Sequence, residues 1–257
     1  MGINRRDFLK MAGIASIWGI GGKTAFEILK PGAVEAENRV PLSPGKKWSM
    51  IIDTRKFKTQ EDFQRCIDAC TQAHNIPQVN NVRQEIKWIW KEQYVNAFPE
   101  DPHPFLPEGM EHKPFLVLCN HCTNPPCVRV CPTQATFKRS DGIVMMDYHR
   151  CIGCRACMAG CPYGSRSFNW GDPRRFIKEP VNREYPTRSK GVVEKCNFCE
   201  ERMTKGLVPA CVEASNGGMA FGDSNNPNSE VRKLLRENYS LRRKPGLGTQ
   251  PNIFYLI

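Results

Sequence analysis

The 257-residue sequence has no long uninterrupted apolar run. Its most apolar stretch, residues 11–22, contains several glycines and is shorter than the roughly 20 apolar residues that cross a bilayer. Hydrophobic residues make up only 40% of the chain, which is low for a protein with a large core. These shortages argue against a protein whose stability depends on membrane spans or on extensive apolar packing.

Acidic residues are also few relative to basic ones, with 26 Asp and Glu against 37 Lys and Arg and a formal charge of +11. Such a balance can indicate binding to nucleic acid or to an anionic membrane surface. However, the sequence contains no module that combines aromatic and basic residues as nucleic-acid readers do. We therefore predict no nucleic-acid partner.

The motifs of common catalytic sites are missing as well. A glycine-rich segment at 19–22 lacks the preceding strand that a dinucleotide site needs, and no nucleophile–base arrangement is visible. The five histidines are scattered, and we expect them to be surface or hydrogen-bonded residues rather than metal ligands: His74, His103, His112, His121 and His149. The sequence predicts no substrate site of its own, so whether the chain is itself an enzyme stays open.

Cysteine, by contrast, is abundant, with thirteen residues that mostly stand in tight groups. Residues 151–162 follow C-x2-C-x2-C-x3-C-P, the pattern of bacterial [4Fe-4S] ligation, and residues 119–132 follow the variant C-x2-C-x4-C-x3-C-P. Soft thiolate ligands suit iron–sulfur clusters. Structural zinc or disulfides are the alternatives, but zinc ribbons use paired C-x2-C groups, and an odd number of bunched cysteines does not suit disulfides.

In two-cluster ferredoxins the fourth cysteine of each run binds the cluster of the other run. Applied to this chain, the rule predicts two crossed ligand sets. The first set is Cys119, Cys122, Cys127 and Cys161, and the second is Cys151, Cys154, Cys157 and Cys131. The arginines at 129, 150 and 155 would favour the reduced clusters if they faced them, but we expect these three side chains to lie on a solvated face. His121, between Cys119 and Cys122, lies where it can influence the first cluster.

The remaining pattern predicts an α+β fold of tandem bacterial-ferredoxin-like modules with loop insertions. Trp48–Asp53 is predicted to be a buried strand, and Ala135–Lys138 with Ile143–Met146 a hairpin. Ile86, Trp88 and Trp90 stand at alternate positions, which favours a strand whose tryptophans pack in the core. Towards the end, Asn228 or Ser229 is expected to cap a helix. The apolar tail at 253–257 is expected to follow the surface or lie under a partner.

The N-terminus carries a candidate export signal. Residues 4–10 read Asn-Arg-Arg-Asp-Phe-Leu-Lys, the twin-arginine pattern, and an apolar stretch follows. Small residues end at Ala36, a possible cleavage point, although the segment can also be retained as an anchor. Because the twin-arginine route moves folded proteins, it is compatible with clusters inserted before export.

Two further cysteine groups extend the pattern on both sides. Cys66 and Cys70 precede the runs, and Cys196-x2-Cys199-x11-Cys211 follows them. Four such groups over residues 48–223 resemble the four-cluster ferredoxin subunits of the dimethyl sulfoxide reductase and polysulfide reductase type. In that family the outer groups exchange ligands as the inner ones do. The resemblance therefore implies a third cluster on Cys70, Cys196, Cys199 and Cys211.

The fourth site of that family is altered in this sequence. The corresponding positions are Gln60, Phe63, Cys66 and Ser215, which include a single thiol. The resemblance thus implies three [4Fe-4S] clusters on twelve cysteines, with Cys66 left as a small buried residue. If each cluster with its four thiolates carries about −2, the overall charge falls to about +5.

A narrower resemblance rests on the segments 141–151 and 191–199, on the twin-arginine start and on the ending Pro251–Leu256. Together they resemble the exported ferredoxin subunit (DsrO-type) of the sulfite-reduction-associated membrane complex. This implies an electron-transfer subunit at the periplasmic face of the cytoplasmic membrane. Implied partners are a quinone-interacting integral membrane subunit, a multihaem cytochrome c and further iron–sulfur subunits. The alternative within the same class is an electron-transfer subunit of a periplasmic molybdopterin oxidoreductase.

The expected organisation has four parts. Residues 1–36 are the signal or anchor, 48–118 with 188–225 form an outer module that contains the altered site, 119–187 form the inner two-cluster module, and 226–257 form a C-terminal helix and tail.

Overall fold

The computed structural model describes residues 45–100 and 105–257, so the candidate export signal lies outside the described residues. The strands of the described part, in chain order, are β1 (Trp48–Asp53), β2 (Ile89–Gln93), β3 (Pro114–Leu118), β4 (Thr136–Lys138), β5 (Val144–Met146), β6 (Ser167–Phe168), β7 (Val193–Glu194), β8 (Met219–Asp223), β9 (Ser240–Leu241) and β10 (Ile253–Leu256). Its α-helices are α1 (Gln60–His74), α2 (Tyr94–Ala97), α3 (Pro126–Arg129), α4 (Ala156–Ala159), α5 (Glu200–Met203), α6 (Ala210–Ala214) and α7 (Glu230–Glu237). Short 3₁₀ turns lie at Met110–His112, Pro173–Phe176 and Pro245–Leu247.

A four-stranded sheet in the order β8-β1-β10-β9 joins the two ends of the described chain. The predicted strand β1 pairs antiparallel with β8 and parallel with β10. The expectation of a surface tail was wrong, because Ile253 and Tyr255 are fully buried in this sheet. Pairing with β1, which is distant in sequence, decides the position of these residues, and local composition does not report it.

Helix α1 is the longest helix of the described residues and was not predicted from the sequence. Thr59 caps it, and the carboxylate of Asp62 accepts a hydrogen bond from the Thr59 amide, which completes a capping box. Hydrogen bonds from the amides of Thr59 and Lys58 lower the pKa of Asp62 to about 2. Spacings of three and four residues along the helix produce one buried face, made of Phe63, Cys66, Cys70 and His74.

The remaining strands form three two-stranded sheets around the cysteine runs. The predicted hairpin is present as β4 and β5, with Gly142 in its turn at φ +87°. Strand β2 begins at Ile89, later than the alternation predicted. Trp88 just before it is 1% exposed, which agrees with its expected place in the core. Ser229 is the residue that caps α7.

All described residues belong to one compact unit, Pro44–Ile257. The core of this unit contains aliphatic and aromatic side chains together with buried cysteines such as Cys66, Cys119 and Cys196. Within the described ranges no helix is long and apolar enough to cross a bilayer. Several thiols thus lie inside the core, surrounded by short helices and strands.

Candidate functional site

The thirteen cysteines all lie in the described ranges, and none of them forms a disulfide there. Nine are buried, three are partly buried, and Cys154 is exposed. Most of the thiols therefore lie in surroundings that exclude water, where a soft metal centre can be held.

The first predicted ligand set is brought together from both runs. Cys119, Cys122 and Cys127 lie in the loop after β3 and in α3, whereas Cys161 follows α4. Burial raises the pKa of Cys122 to about 12, and the nearby thiols of Cys119, Cys127 and Cys161 contribute in the same direction. Cys161, although distant in sequence, is thus a neighbour of the first run, as the crossed pattern requires.

The second set lies nearer the surface. Cys131 and Cys151 are partly buried and Cys154 is exposed, whereas Cys157 is buried in α4 next to the thiols of Cys127 and Cys151. Burial opposes ionisation of Cys131, but hydrogen bonds from the amides of nearby residues outweigh it and lower its pKa.

Gly153, between Cys151 and Cys154, has φ +70°. A Cβ at this position would overlap the carbonyl oxygen of Gly191. This loop therefore needs glycine, both for its backbone conformation and for its close approach to the segment that leads to Cys196.

The third set combines α1 with the C-terminal group. Burial raises the pKa of Cys211 well above its usual value, and the thiols of Cys199, Cys70 and Cys196 add to this effect. Backbone amides already point at two of the sulfur atoms. The Phe198 amide donates to Cys196 Sγ at 3.4 Å, and the Ala210 amide donates to Cys199 Sγ at 3.3 Å.

His74 lies one helical turn beyond Cys70 and is buried. Its Nδ1 is 3.0 Å from the Cys70 carbonyl oxygen and its Nε2 is 2.9 Å from Glu201 Oε1. Burial opposes protonation, but the contacts with Cys199, Cys70 and Glu201 prevail and hold the pKa of His74 well above its usual value. The ligand atoms of His74, Cys199 and Glu201 lie within 4.8 Å of one another. Because Cys199 also belongs to the third set, we interpret His74 and Glu201 as neighbours of that set and not as a separate metal site.

The altered fourth group does not form a cavity lined by metal ligands. Gln60 is exposed and its Oε1 accepts a hydrogen bond from Lys91 Nζ at 2.6 Å, whereas Phe63 and Cys66 are 2% and 0% exposed. The Ser215 hydroxyl donates to the Val212 carbonyl at 2.6 Å. Each of these side chains therefore has a structural role as the chain stands.

Phe57 fills the space beside this group. Its ring centroid lies 5.3 Å from that of Phe63, and a Cβ on Gly218 would come within 2.9 Å of its ring. Burial raises the pKa of Cys66 to about 12. The region is packed with aromatic side chains, and a neutral thiol suits it.

Two polar residues of the first run lack partners. The amide oxygen and nitrogen of Asn120 and the Nε2 of His121 are buried and form no hydrogen bond with the described residues. His121 Nδ1 accepts from the Val144 amide at 3.1 Å, and its ring stacks on Phe198 with centroids 3.6 Å apart. His121 is thus a buried, hydrogen-bonded histidine, and only its Nε2 has no partner among the described residues.

The arginines beside the cysteines lie on the surface, as expected, and sequence reasoning missed the two buried cations. The arginines at 129, 150 and 155 are exposed, and Arg155 stacks over Trp170 at 4.7 Å. The cations next to the thiols are Arg166 and Lys195, which are 5% and 1% exposed. Burial lowers the pKa of Lys195, whereas the thiols of Cys119, Cys196 and Cys127 oppose this change. The only sequence signal was the position of Lys195 next to Cys196.

These features fit iron–sulfur clusters. The donors are soft thiols, backbone amides donate to two of the sulfur atoms, and Asn120, His121 and Arg166 have buried polar atoms without a partner among the described residues. An anionic metal–sulfide centre would satisfy all three requirements.

Comparison with known proteins agrees with this geometry. Residues 111–178 match the family described as the 4Fe-4S dicluster domain. The chain is 38% identical to the Hdr-like menaquinol oxidoreductase iron-sulfur subunit 1 of Archaeoglobus fulgidus, over 98% of this chain and 97% of the relative. It is 36% identical to the menaquinone reductase iron-sulfur cluster-binding subunit of Nitratidesulfovibrio vulgaris, over 82% and 88% of the two chains. It is 33% identical to a tetrathionate reductase subunit of Salmonella typhimurium, over 100% and 89%.

The fold and the site thus define a ferredoxin-type protein whose cofactors are [4Fe-4S] clusters. The chain belongs to the family of electron-transfer iron–sulfur subunits of respiratory oxidoreductases, within which these relatives fall.

Proposed function

We propose that this chain holds three [4Fe-4S] clusters and conducts electrons through them between a quinone-reactive membrane subunit and another redox partner. The observation that carries the proposal is that thiols from distant segments lie together. Cys161 lines one cavity with Cys119, Cys122 and Cys127, and Cys70 lies near Cys196, Cys199 and Cys211. The ligand sets are those predicted from the sequence: Cys119, Cys122, Cys127 and Cys161; Cys131, Cys151, Cys154 and Cys157; and Cys70, Cys196, Cys199 and Cys211.

Each bound cluster supplies a one-electron centre that changes charge with little structural movement. The protein holds the ligands in place and tunes their surroundings. Amides such as those of Phe198 and Ala210 donate to sulfur and favour the more negative, reduced state. The third set is buried throughout, the first set is buried except for the partly buried Cys161, and the second set opens to the surface at Cys154.

The first set lies between the other two. The thiol of Cys119 is a neighbour of Cys196 in the third set, and Cys127 is a neighbour of Cys157 in the second. This order supports a linear path in which electrons enter or leave at the exposed second set and at the third set. The packed region around Phe57 and Phe63 supports the absence of a fourth centre beyond the third.

We place the subunit at the periplasmic face of the cytoplasmic membrane, exported by the twin-arginine route, in a sulfite-reduction-associated complex. The names of the menaquinol oxidoreductase and menaquinone reductase relatives support a quinone-linked membrane partner. A multihaem cytochrome c and further iron–sulfur subunits are the other proposed partners, on the strength of the DsrO-type resemblance.

A second candidate is the electron-transfer subunit of a periplasmic molybdopterin oxidoreductase. Similarity to the tetrathionate reductase relative favours it. Co-purification of a molybdenum enzyme, instead of a haem protein and a quinone-reactive subunit, would support this candidate over the first.

Iron analysis combined with redox-titrated paramagnetic resonance on anaerobically purified protein tests the proposal. We expect about twelve irons per chain and three separate one-electron signals. In native membranes, a menaquinol analogue should transfer an electron to at least one of the clusters that give these signals. Colourless protein with zinc in place of iron would contradict the cluster assignment, and about sixteen irons would contradict the loss of the fourth site.

A further inference from the structure

Two buried cations lie among the thiols without a carboxylate partner. The ammonium of Lys195 donates to the carbonyls of Val144 and Cys196, the latter at 2.7 Å. The guanidinium of Arg166 donates from Nη1 to Thr136 Oγ1 at 3.0 Å, and its Nη2 has no partner among the described residues. Within residues 45–100 and 105–257 neither of them forms an ion pair.

The fold holds these two cations side by side. In the antiparallel pair of β6 and β7, Ser167 is opposite Glu194. Arg166 directly precedes Ser167 and Lys195 directly follows Glu194, so the register places the two cations at the same end of the pair. Each acts on the other as a like charge. Two adjacent buried cations are costly unless an anion is present.

Glu194 does not supply that anion. Its Oε2 is 2.8 Å from Arg188 Nε, and the Trp88 indole nitrogen donates to the same oxygen at 3.1 Å. Arg188 is thus a buried cation with its own carboxylate. Arg243, another buried cation, donates to the Ala97 carbonyl and stacks over Tyr163.

The two unpaired cations lie near different combinations of the ligand sets. Lys195 lies near Cys119 and Cys127 of the first set and is adjacent to Cys196 of the third. Arg166 lines the same cavity as Cys119 and Cys127 of the first set, and Cys157 of the second set also lies near it. The first set is shared, so each cation lies at one of the two junctions along the path.

We propose that Lys195 and Arg166 are countercations at the two junctions of the electron path, Lys195 between the first and third clusters and Arg166 between the first and second. This rests on the proposed function, because it takes those ligand sets as given. A cation fixed in a medium of low dielectric stabilises the reduced, more negative state of each neighbouring cluster and so raises its reduction potential. Both residues are positioning residues, which act through the clusters and touch no substrate.

The test compares redox titrations of wild-type protein with Lys195→Met and Arg166→Met, each of which removes the charge and retains much of the side-chain volume. The Cys70→Ala variant, which lacks a ligand of the third cluster, assigns the third signal. In Lys195→Met we expect the first and third clusters to become harder to reduce by about tenfold or more, which is about 59 mV for one electron. The second cluster should change much less. In Arg166→Met the first and second clusters should shift and the third should not.

Lys195→Arg is the matched control, because it keeps the charge and should keep both potentials within about twofold of wild type. Unchanged potentials in Lys195→Met, or equal shifts in all three clusters, would overturn the proposal. If Lys195→Met loses iron, Lys195→Gln and Lys195→Arg decide the outcome. Loss of iron in Lys195→Gln but not in Lys195→Arg supports the role of Lys195 as a countercation. Loss of iron in both variants would show that side-chain shape matters and would overturn the proposal.

Different measurements test the proposed function and the proposed countercations. The iron content and signal count of the wild-type protein test the three-cluster function. The pattern of shifts among the variants tests the countercations only after the wild-type count is known.

Discussion

Cys66 and Cys70 lie one turn apart on the buried face of α1, and different residues surround their thiols. Cys70 Sγ is 3.6 Å from His74 Nδ1 and lies next to the thiol of Cys199, whereas Cys66 is fully buried in the core that contains Phe57 and Phe63, and its thiol also lies near that of Cys211. The same helix therefore presents one thiol to the proposed third ligand set and one to the core around Phe57 and Phe63.

This difference predicts the effects of removing each thiol. Cys70→Ala should reduce iron from about twelve to about eight per chain, because the third cluster loses a ligand that no neighbour replaces. Cys66→Ala should retain all the iron and cost about 1 kcal/mol or slightly more in stability for the lost sulfur. Iron analysis and the thermal midpoint of bleaching near 400 nm measure both effects. Iron loss in Cys66→Ala would show that this thiol is a ligand.

Because the fourth site is packed, we expect that restoring its cysteines is not sufficient for a cluster to bind there. The triple variant Gln60→Cys, Phe63→Cys, Ser215→Cys recreates four thiols together with Cys66. We expect it to keep about twelve irons, because the Phe57 ring still occupies the space beside position 63. Adding Phe57→Ala should allow the count to rise towards about sixteen. A full fourth cluster in the triple variant would mean that ligand chemistry alone abolished the site.

The buried ion pair of Arg188 and Glu194 predicts a large stability effect. Both side chains are almost inaccessible, at 1% and 0%. Arg188→Met should therefore cost about 3–5 kcal/mol, because it leaves the Glu194 charge without compensation. The double variant Arg188→Met, Glu194→Gln should recover part of this loss.

The matched control for that prediction is Arg65→Met. Arg65 pairs with Asp62 at 2.9 Å but is 44% exposed, so its loss should cost less than about 1 kcal/mol. Thermal bleaching of the clusters gives the ranking of the three variants. Equal midpoints for Arg188→Met and Arg65→Met would contradict the role of burial.

The N-terminal motif predicts the route of export. Replacing Arg5 and Arg6 with lysine should leave the folded, iron-loaded chain in the cytoplasm, because the paired arginines are the expected targeting signal. Lys23→Arg, outside the motif, should be exported normally. Cell fractionation followed by immunoblotting measures both. Normal export of the double-lysine variant would exclude the twin-arginine route.

The sequence by itself determined the cofactor class and the elements closest to the cysteines. The spacing of Cys151, Cys154, Cys157 and Cys161 is that of a loop that wraps a metal centre, so a short segment of sequence is enough to indicate the ligands. The strand at Trp48–Asp53 and the hairpin around Gly142 follow from local alternation and turn chemistry, and the structure contains both.

Only the tertiary structure decided what depends on residues distant in sequence. The place of Ile253 inside the sheet comes from pairing with Met50, and the filling of the altered site comes from Phe57, which no cysteine motif includes. Arg166 and Lys195 are separated by 28 intervening residues in the sequence and meet through the pairing of β6 with β7. Burial and like-charge proximity arise from that pairing, so the sequence alone did not single out these two residues.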